Sequence, residues 1–398
     1  MIKITDKSLC SGCHACMSVC PKSAISMKED NEGFVYPVID ESKCIDCGLC
    51  DKSCQVINPI IKERNPIAYA CNNLNDEIRM KSSSGGTFSL IAEWIISQNG
   101  VVFGAGFDDK LNVVHMAVDC IDDLYKLRGS KYVQSIIGDA FVQAKELLEA
   151  GRTVLFTGTP CQIDGLLHFL KKDYDKLYTQ DIVCHGVPSG MVWQKYLRYQ
   201  EQLYGALVLK EPYPSFRSKE EGWTNYRQTL SFDNGKNYNK FHKEDLYMKA
   251  FLKNVSLRYS CYDCHSKSVN RNSDITLADL WGCRSIAPDM FDDKGTSFVI
   301  VNSEKGKELF DAVSECISYQ TIRIEDAIKC NSPVWKSVSM PKKRQFFFEN
   351  IDTMDFTQLV EKATRPSLFK KVQTFIVNYG WALRNKIDYI IKKLKRKN

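Results

Sequence analysis

No stretch of this 398-residue chain approaches the roughly 20 consecutive apolar residues that a membrane-crossing helix needs. Its first residues carry no secretory signal, so the expectation is a cytoplasmic chain whose thiols stay reduced. Positive charge is missing where a nucleic-acid binder would need it. The net charge is +6, but from Arg365 onward ten Lys or Arg face one Asp, a tail of +9 that leaves −3 for the preceding 364 residues. The body is therefore no basic nucleic-acid surface. Histidine is sparse. His14, His115, His168 and His242 have no partner at ligand spacing and read as structural or exposed. There is neither a Walker loop nor G-x-G-x-x-G.

Cysteine is abundant, with seventeen in all. Cys10, Cys13, Cys16 and Cys20, then Cys44, Cys47, Cys50 and Cys54, spell C-x2-C-x2-C-x3-C twice. In runs of this spacing three thiolates wrap one 4Fe–4S cube and the fourth reaches across to the other. Cys10, Cys13, Cys16 and Cys54 are thus expected to hold one cluster, and Cys44, Cys47, Cys50 and Cys20 a second. Zinc would use pairs of ligands rather than interleaved triplets, and cross-links do not suit a reducing compartment. Pro21 follows the first run, whereas Gln55 stands at its place in the second. Ile4 and residues 35–38 have strand character, and each C-x3-C end runs into helix-prone sequence. The expectation is a small dicluster ferredoxin-like domain over 1–58, stabilised by its clusters. A polar, proline-bearing linker from Asn58 to Pro66 marks its end.

Beyond the linker, residues 67–71 and 101–107 read as strands around a helical stripe of Phe88, Ile91, Trp94 and Ile95. Between them, Ser82-Ser83-Ser84-Gly85-Gly86-Thr87 suits a pyrophosphate at a helix N-terminus, or a simple N-cap. Strands at 153–157 and 178–183 end at Cys161 and Cys184, equivalent strand-to-helix turns of the kind where α/β sheets gather ligands. Cys261 and Cys264 add a C-x2-C pair. These four thiolates suffice for a third cube, or are unrelated thiols; Cys283 is a substitute ligand. Cys71, Cys120, Cys316 and Cys330 lie in periodic apolar contexts and read as core thiols. The segment 207–241 has strand character with a turn at Asp233-Asn234-Gly235. Its Phe216, Arg217, Trp223, Tyr226 and Arg227 suit an acidic planar ligand or a half-buried sheet face.

The chain resembles the beta subunit family of coenzyme F420 hydrogenases and dehydrogenases, in the branch with a fused dicluster ferredoxin. The resemblance rests on residues 82–87, Gly129-Ser130-Lys131-Tyr132-Val133-Gln134-Ser135, Gly158 to Gln162 and Cys184 to Ser189. Phe216-Arg217, Gly222-Trp223, Cys261 to Cys264 and Ser273 to Gly282 complete it, so that it covers residues 1 to about 320. It implies FAD in an α/β domain beside an iron–sulfur cluster. Ser83, Ser84, Gly85, Gly86, Thr87, Lys131 and Gln134 become FAD candidates, and Cys161, Cys184, Cys261 and Cys264 a third 4Fe–4S set. The implied fold is α+β: the ferredoxin-like domain, then an α/β flavin-binding domain in two parts, 66–150 and 151–325, and a basic amphipathic tail over 365–398.

The implied function is an iron–sulfur flavoprotein oxidoreductase. Flavin joins one-electron clusters to a two-electron substrate, the deazaflavin coenzyme F420 or another acceptor. A ferredoxin or partner redox subunit would exchange electrons with the N-terminal clusters, in either direction. The alternative is a non-catalytic electron-transfer subunit that feeds a separate enzyme. No catalytic residue is assigned; His185 either donates to the neighbouring cluster or packs locally. The tail, with Leu368, Val372, Phe375 and Tyr379 on one stripe, suits either a peripheral contact at the inner membrane surface or docking on protein.

Overall fold

The computed structural model of the chain describes residues 2 and 6–366. The strand expected at Ile4 and the amphipathic tail beyond 366 lie outside the described residues. Among the described residues no helix is long and apolar enough to cross a membrane.

The first 58 residues repeat themselves in backbone as well as in sequence. Strands β1 (Ile25–Glu29) and β2 (Val35–Ile39) pair antiparallel, flanked by two helical turns, Ala15–Ser18 and Leu49–Lys52. Each turn begins one residue before its C-x3-C run and overlaps it instead of following it. Left-handed residues recur at equivalent places in the two cysteine loops, Gly12 (φ 67) with Asp46 (φ 50) and His14 (φ 65) with Gly48 (φ 70). Such a backbone curls its amides inward around a central group.

The body is a mixed sheet of eight strands: β3 (Ile67–Asn73), β4 (Val101–Phe107), β5 (Val113–Val118), β6 (Val154–Gly158), β7 (Leu177–Ile182), β11 (Ile275–Asp279), β12 (Ser297–Val301) and β13 (Ile317–Ile322). Their spatial order is β13-β3-β12-β11-β7-β6-β4-β5, with β11, β7, β6 and β4 mutually parallel and the outer pairs antiparallel. Alternation along the strands sorts two cores. Val102, Leu155 and Tyr178 face helices Thr87–Ser97 and Glu304–Val313. Val101, Phe103, Val154 and Phe156 face helices Ala140–Glu149 and Pro160–Leu170. Strands β8 (Ser215–Ser218), β9 (Arg227–Ser231) and β10 (Asn237–Phe241) form a separate antiparallel sheet, with the Asp233-Asn234-Gly235 turn joining the last two. It packs with helices Gly190–Tyr204, Leu246–Leu252 and Phe356–Thr364 around Trp193, Tyr196 and Tyr247.

Two buried arginines seat the N-terminal domain on this body. Arg258 donates to the carbonyls of Cys10 (2.7 Å) and Val35 (2.9 Å), and Arg344 makes a bidentate pair with Glu32 (2.9 and 2.6 Å).

Candidate functional site

Three cavities are each ringed by four cysteines. Cys10, Cys13, Cys16 and Cys54 line one, and Cys20, Cys44, Cys47 and Cys50 the next. Cys161, Cys184, Cys261 and Cys264 line the third, at the boundary between the N-terminal domain and the body. Cys283 is elsewhere, buried beside Leu280 and Ala287. Backbone N–H groups point at the sulfurs: Ile2 at Cys50 (3.3 Å), Ala24 at Cys20 (3.3 Å) and Val187 at Cys261 (3.4 Å). Burial pushes the Cys13 and Cys16 thiols up, and their neighbours Cys10 and Cys54 add to this. Burial likewise raises Cys184 to about 11 and Cys261 to about 12. Neutral thiols crowded together in this way become thiolates when a cationic group binds among them. Among the described residues no three His, Cys, Asp or Glu side chains close around a point as the ligands of one metal ion would. A cube whose four irons each take a separate thiolate suits rings of this kind better than zinc does.

The third ring is reached from both sides. Leu9, Ser11, Gln55 and Val56 line both it and the first ring. On its other side Cys184, Gly186 and Val187 also line a cavity of about 480 Å³, within the range of cofactor sites. This cavity sits at the C-terminal ends of β6, β7 and β11, the crevice where open α/β sheets place ligands.

Residues 82–87 form one of its walls. Gly85 is there because nothing larger fits: a Cβ would lie 2.2 Å from the Cys71 carbonyl oxygen and 2.6 Å from the Ser297 nitrogen. Lys219, buried, holds the loop from behind, its Nζ donating to the carbonyls of Arg79 (2.5 Å), Ser84 (2.9 Å) and Lys294 (2.6 Å). Ser83 Oγ accepts from the Ser130 amide at 2.7 Å, tying this loop to the one bearing Lys131. Thr87 Oγ1, at the start of its helix, is buried without a partner, as are Gln180 Oε1 and Arg217 Nε, and all three residues face the cavity. Arg217 pairs with Asp279 (2.7 and 3.1 Å) and lies over the Tyr226 ring at 4.1 Å. Burial opposes its charge, but Asp279 and Tyr132 outweigh that and keep it a cation. Lys131 Nζ donates to the Arg128 and Gly129 carbonyls, and burial pushes it down to about 7. Unpaired polar atoms, two cations and the rings of Tyr226 and Trp281 fit a planar, anionic ligand such as a flavin nucleotide.

Of the sequence-derived FAD candidates, Ser83, Ser84, Gly86, Thr87 and Lys131 face the cavity. Gly85 packs into the sheet and Gln134 turns away, donating to the Ser11 carbonyl (3.0 Å) and accepting from Arg258 (3.1 Å). Segment 207–241 divides: Arg217 and Tyr226 face the cavity, Phe216 and Trp223 are core, and Arg227 points outward to Glu221. His185 lines the cavity beside Cys184, its Nε2 2.6 Å from Asn254 Oδ1. His115 lines it too, hydrogen-bonded to Ser135 and Thr157. Asp279 and Trp281 had no sequence signal of their own beyond their place in the Ser273–Gly282 run. Cys71 is a core thiol, whereas Cys120, Cys316 and Cys330 are exposed, because each stands at an element end where the apolar periodicity stops.

This is a mixed α/β protein with a dicluster-type N-terminal domain seated on a body that holds a cofactor-sized cavity. Residues 9–57 match the 4Fe–4S dicluster domain, and residues 151–327 match the C-terminal domain of the coenzyme F420 hydrogenase/dehydrogenase beta subunit. Residues 151–327 thus carry the likeness to that beta subunit, with the dicluster match lying in front of it. It is 26% identical over 324 residues to a coenzyme F420-dependent sulfite reductase of Methanocaldococcus jannaschii, covering 78% of this chain and 47% of the relative. It is 25% identical over 218 residues to an uncharacterized protein of the same organism, covering 44% and 56%. The chain thus spans about half the length of the curated relatives it matches. Among solved structures, a chain of the F420-reducing [NiFe] hydrogenase complex from Methanosarcina barkeri aligns with a TM-score of 0.46 at 15% identity, over 69% of this chain and 92% of that one.

Proposed function

We propose that the chain is an iron–sulfur flavoprotein oxidoreductase that exchanges electrons between 4Fe–4S clusters and a two-electron carrier of the deazaflavin type. The observation that carries this is the shared wall: Cys184, Gly186 and Val187 border both the third cysteine ring and the large cavity. When bound, clusters carry single electrons and a flavin trades them for pairs. The residues supply the rest. Cys10, Cys13, Cys16 and Cys54, then Cys20, Cys44, Cys47 and Cys50, hold the two N-terminal clusters, and Cys161, Cys184, Cys261 and Cys264 the third. The 82–87 loop and Lys131 bind the flavin's phosphates, with Thr87 Oγ1 and the helix N-terminus behind it as donors. Arg217, held by Asp279, presents a fixed cation to an acidic ring system. The name of the relative that matches 78% of the chain supports a deazaflavin as the two-electron partner. A ferredoxin or partner subunit would meet the exposed Cys47 end.

The test is an anaerobic preparation assayed for iron, sulfide and flavin. Three cubes predict about twelve irons with one flavin per chain. Reduction of coenzyme F420 by the isolated, dithionite-reduced chain would support an enzyme with its own substrate. Activity only after a partner is added would support a feeding subunit. A preparation that binds no flavin after reconstitution would overturn the proposal.

A further inference from the structure

Charge is distributed unevenly over the three rings. Arg258, Lys267 and Arg271 line the third ring, with no Asp or Glu among its lining residues. Among the described residues no charged side chain lines the first ring, and the second has Lys22 and Asp46, both exposed. Arg258 is fully buried, Arg271 is 2% exposed and Lys267 is half-buried. Arg258 gives its hydrogen bonds to the carbonyls of Cys10 and Val35 and to Gln134 Oε1. Lys267 Nζ donates to the carbonyls of Lys336 (3.0 Å) and His185 (3.4 Å). Among the described residues, only Arg271 of the three has a carboxylate within ion-pair distance, Asp181 at 3.6 Å. The Nε of Arg271 has no partner at all. A cation taken out of water without a countercharge is costly. An anion held by the ring itself would answer all three.

Resting on the cluster assignment above, we propose that Arg258, Lys267 and Arg271 hold the third cluster at the highest reduction potential of the three. A 4Fe–4S cube on four thiolates is anionic, and each electron it accepts adds negative charge. Fixed cations at its wall stabilise that charge, most strongly where water is excluded. Hydrogen bonds to sulfur do not by themselves give this order. The amides of Ile2 and Ala24 point at second-ring sulfurs, and the third ring has the Val187 amide and the Thr159 hydroxyl, 3.2 Å from Cys161 Sγ. With two such contacts on each side, the cations decide. Water reaches the second ring and favours its reduced form, but it also screens Lys22, which Asp46 opposes. Full charges at a half-buried wall outweigh that solvation. Electrons entering through the N-terminal clusters then collect on the ring that shares Cys184, Gly186 and Val187 with the large cavity.

The experiment uses the full chain, purified anaerobically with iron and sulfide counted, titrated with dithionite and followed by electron paramagnetic resonance. Cys184→Ala identifies the third ring's step as the one it removes. In the unaltered chain that step should come first, at the highest potential. Lys267→Met keeps the stem and removes the charge, and Lys267→Gln also keeps a donor for the Lys336 carbonyl. Each should lower the third ring's step by about 59 mV, a tenfold change for one electron, and leave the others in place. Lys267→Arg should restore it. Lys22→Met should move the second ring's step by less. A third-ring step that is not the highest overturns the proposal, whatever the variants do. So does a step unmoved in either Lys267 variant at full iron. If Cys184→Ala removes no iron, the third-cluster assignment falls and this inference with it, while flavin content tests the cavity separately.

Discussion

Arg217 and Asp279 are 3% and 16% exposed at the side chain, an ion pair largely out of water. Removing one partner of such a pair leaves the other charge buried and uncompensated. Asp279→Ala is expected to destabilise the fold by about 3–5 kcal/mol in urea unfolding. Arg217→Met with Asp279→Leu should recover part of that loss while abolishing cavity binding of an acidic ligand. Lys131 titrates differently. Burial lowers its folded value to about 7, below the ordinary ammonium range. Between those values the unfolded chain holds a proton that the folded chain has released, so its contribution to stability grows as pH rises above 7. Binding of FAD should change in the opposite sense, weakening as pH rises through 7 while the cation is lost. Flavin-fluorescence titrations from pH 6 to 8.5 would show that slope. Lys131→Met should flatten it and cost about tenfold in affinity at pH 6.

At the scale of elements, much was legible. The strand expected at 101–107 is β4, and the stripe from Phe88 to Ile95 lies in helix Thr87–Ser97, because alternation and 3.6-residue periodicity are local patterns. The two N-terminal rings were legible for a related reason, since their ligand spacing is written along the chain, whereas the third, drawn from positions 161 to 264, came from the family resemblance. Strand order was not: β3 lies between β12 and β13, more than 200 residues away in sequence, and no periodicity encodes that. Gln134 lies away from the cavity because an amide in such a run serves the seam between the N-terminal domain and the body as readily as a cofactor. Gly85 misled because its glycine answers to the Cys71 backbone and not to a phosphate. That distinction is testable. Gly85→Ala should lower stability by about 1–3 kcal/mol through overpacking. Gly129→Ala, at φ 85 with open space around it, should cost only about 1 kcal/mol of backbone strain. Thermal melts of the two variants would separate them.

Over the whole molecule, the first ring, the third ring and the large cavity succeed one another through shared walls, and Cys20 and Cys50 of the second ring pack with Cys16 and Cys54 of the first. Cys184→Ala should remove about four irons of twelve and leave the ferredoxin pair intact, read by iron and sulfide assay. Arg344→Ala should loosen the N-terminal domain, leaving Glu32 without its partner and the linker near Asn58 more open to protease. Of the twelve ring cysteines Cys47 alone is open to solvent; the first and third rings each have one buried member, Cys16 and Cys261, and the rest are half-buried. Corrosion by air would therefore begin at the outermost ring, the one farthest from the cavity. On the function proposed above, a partly aged sample would keep its inner iron yet have no terminal left to charge it, like a wire stripped at the plug.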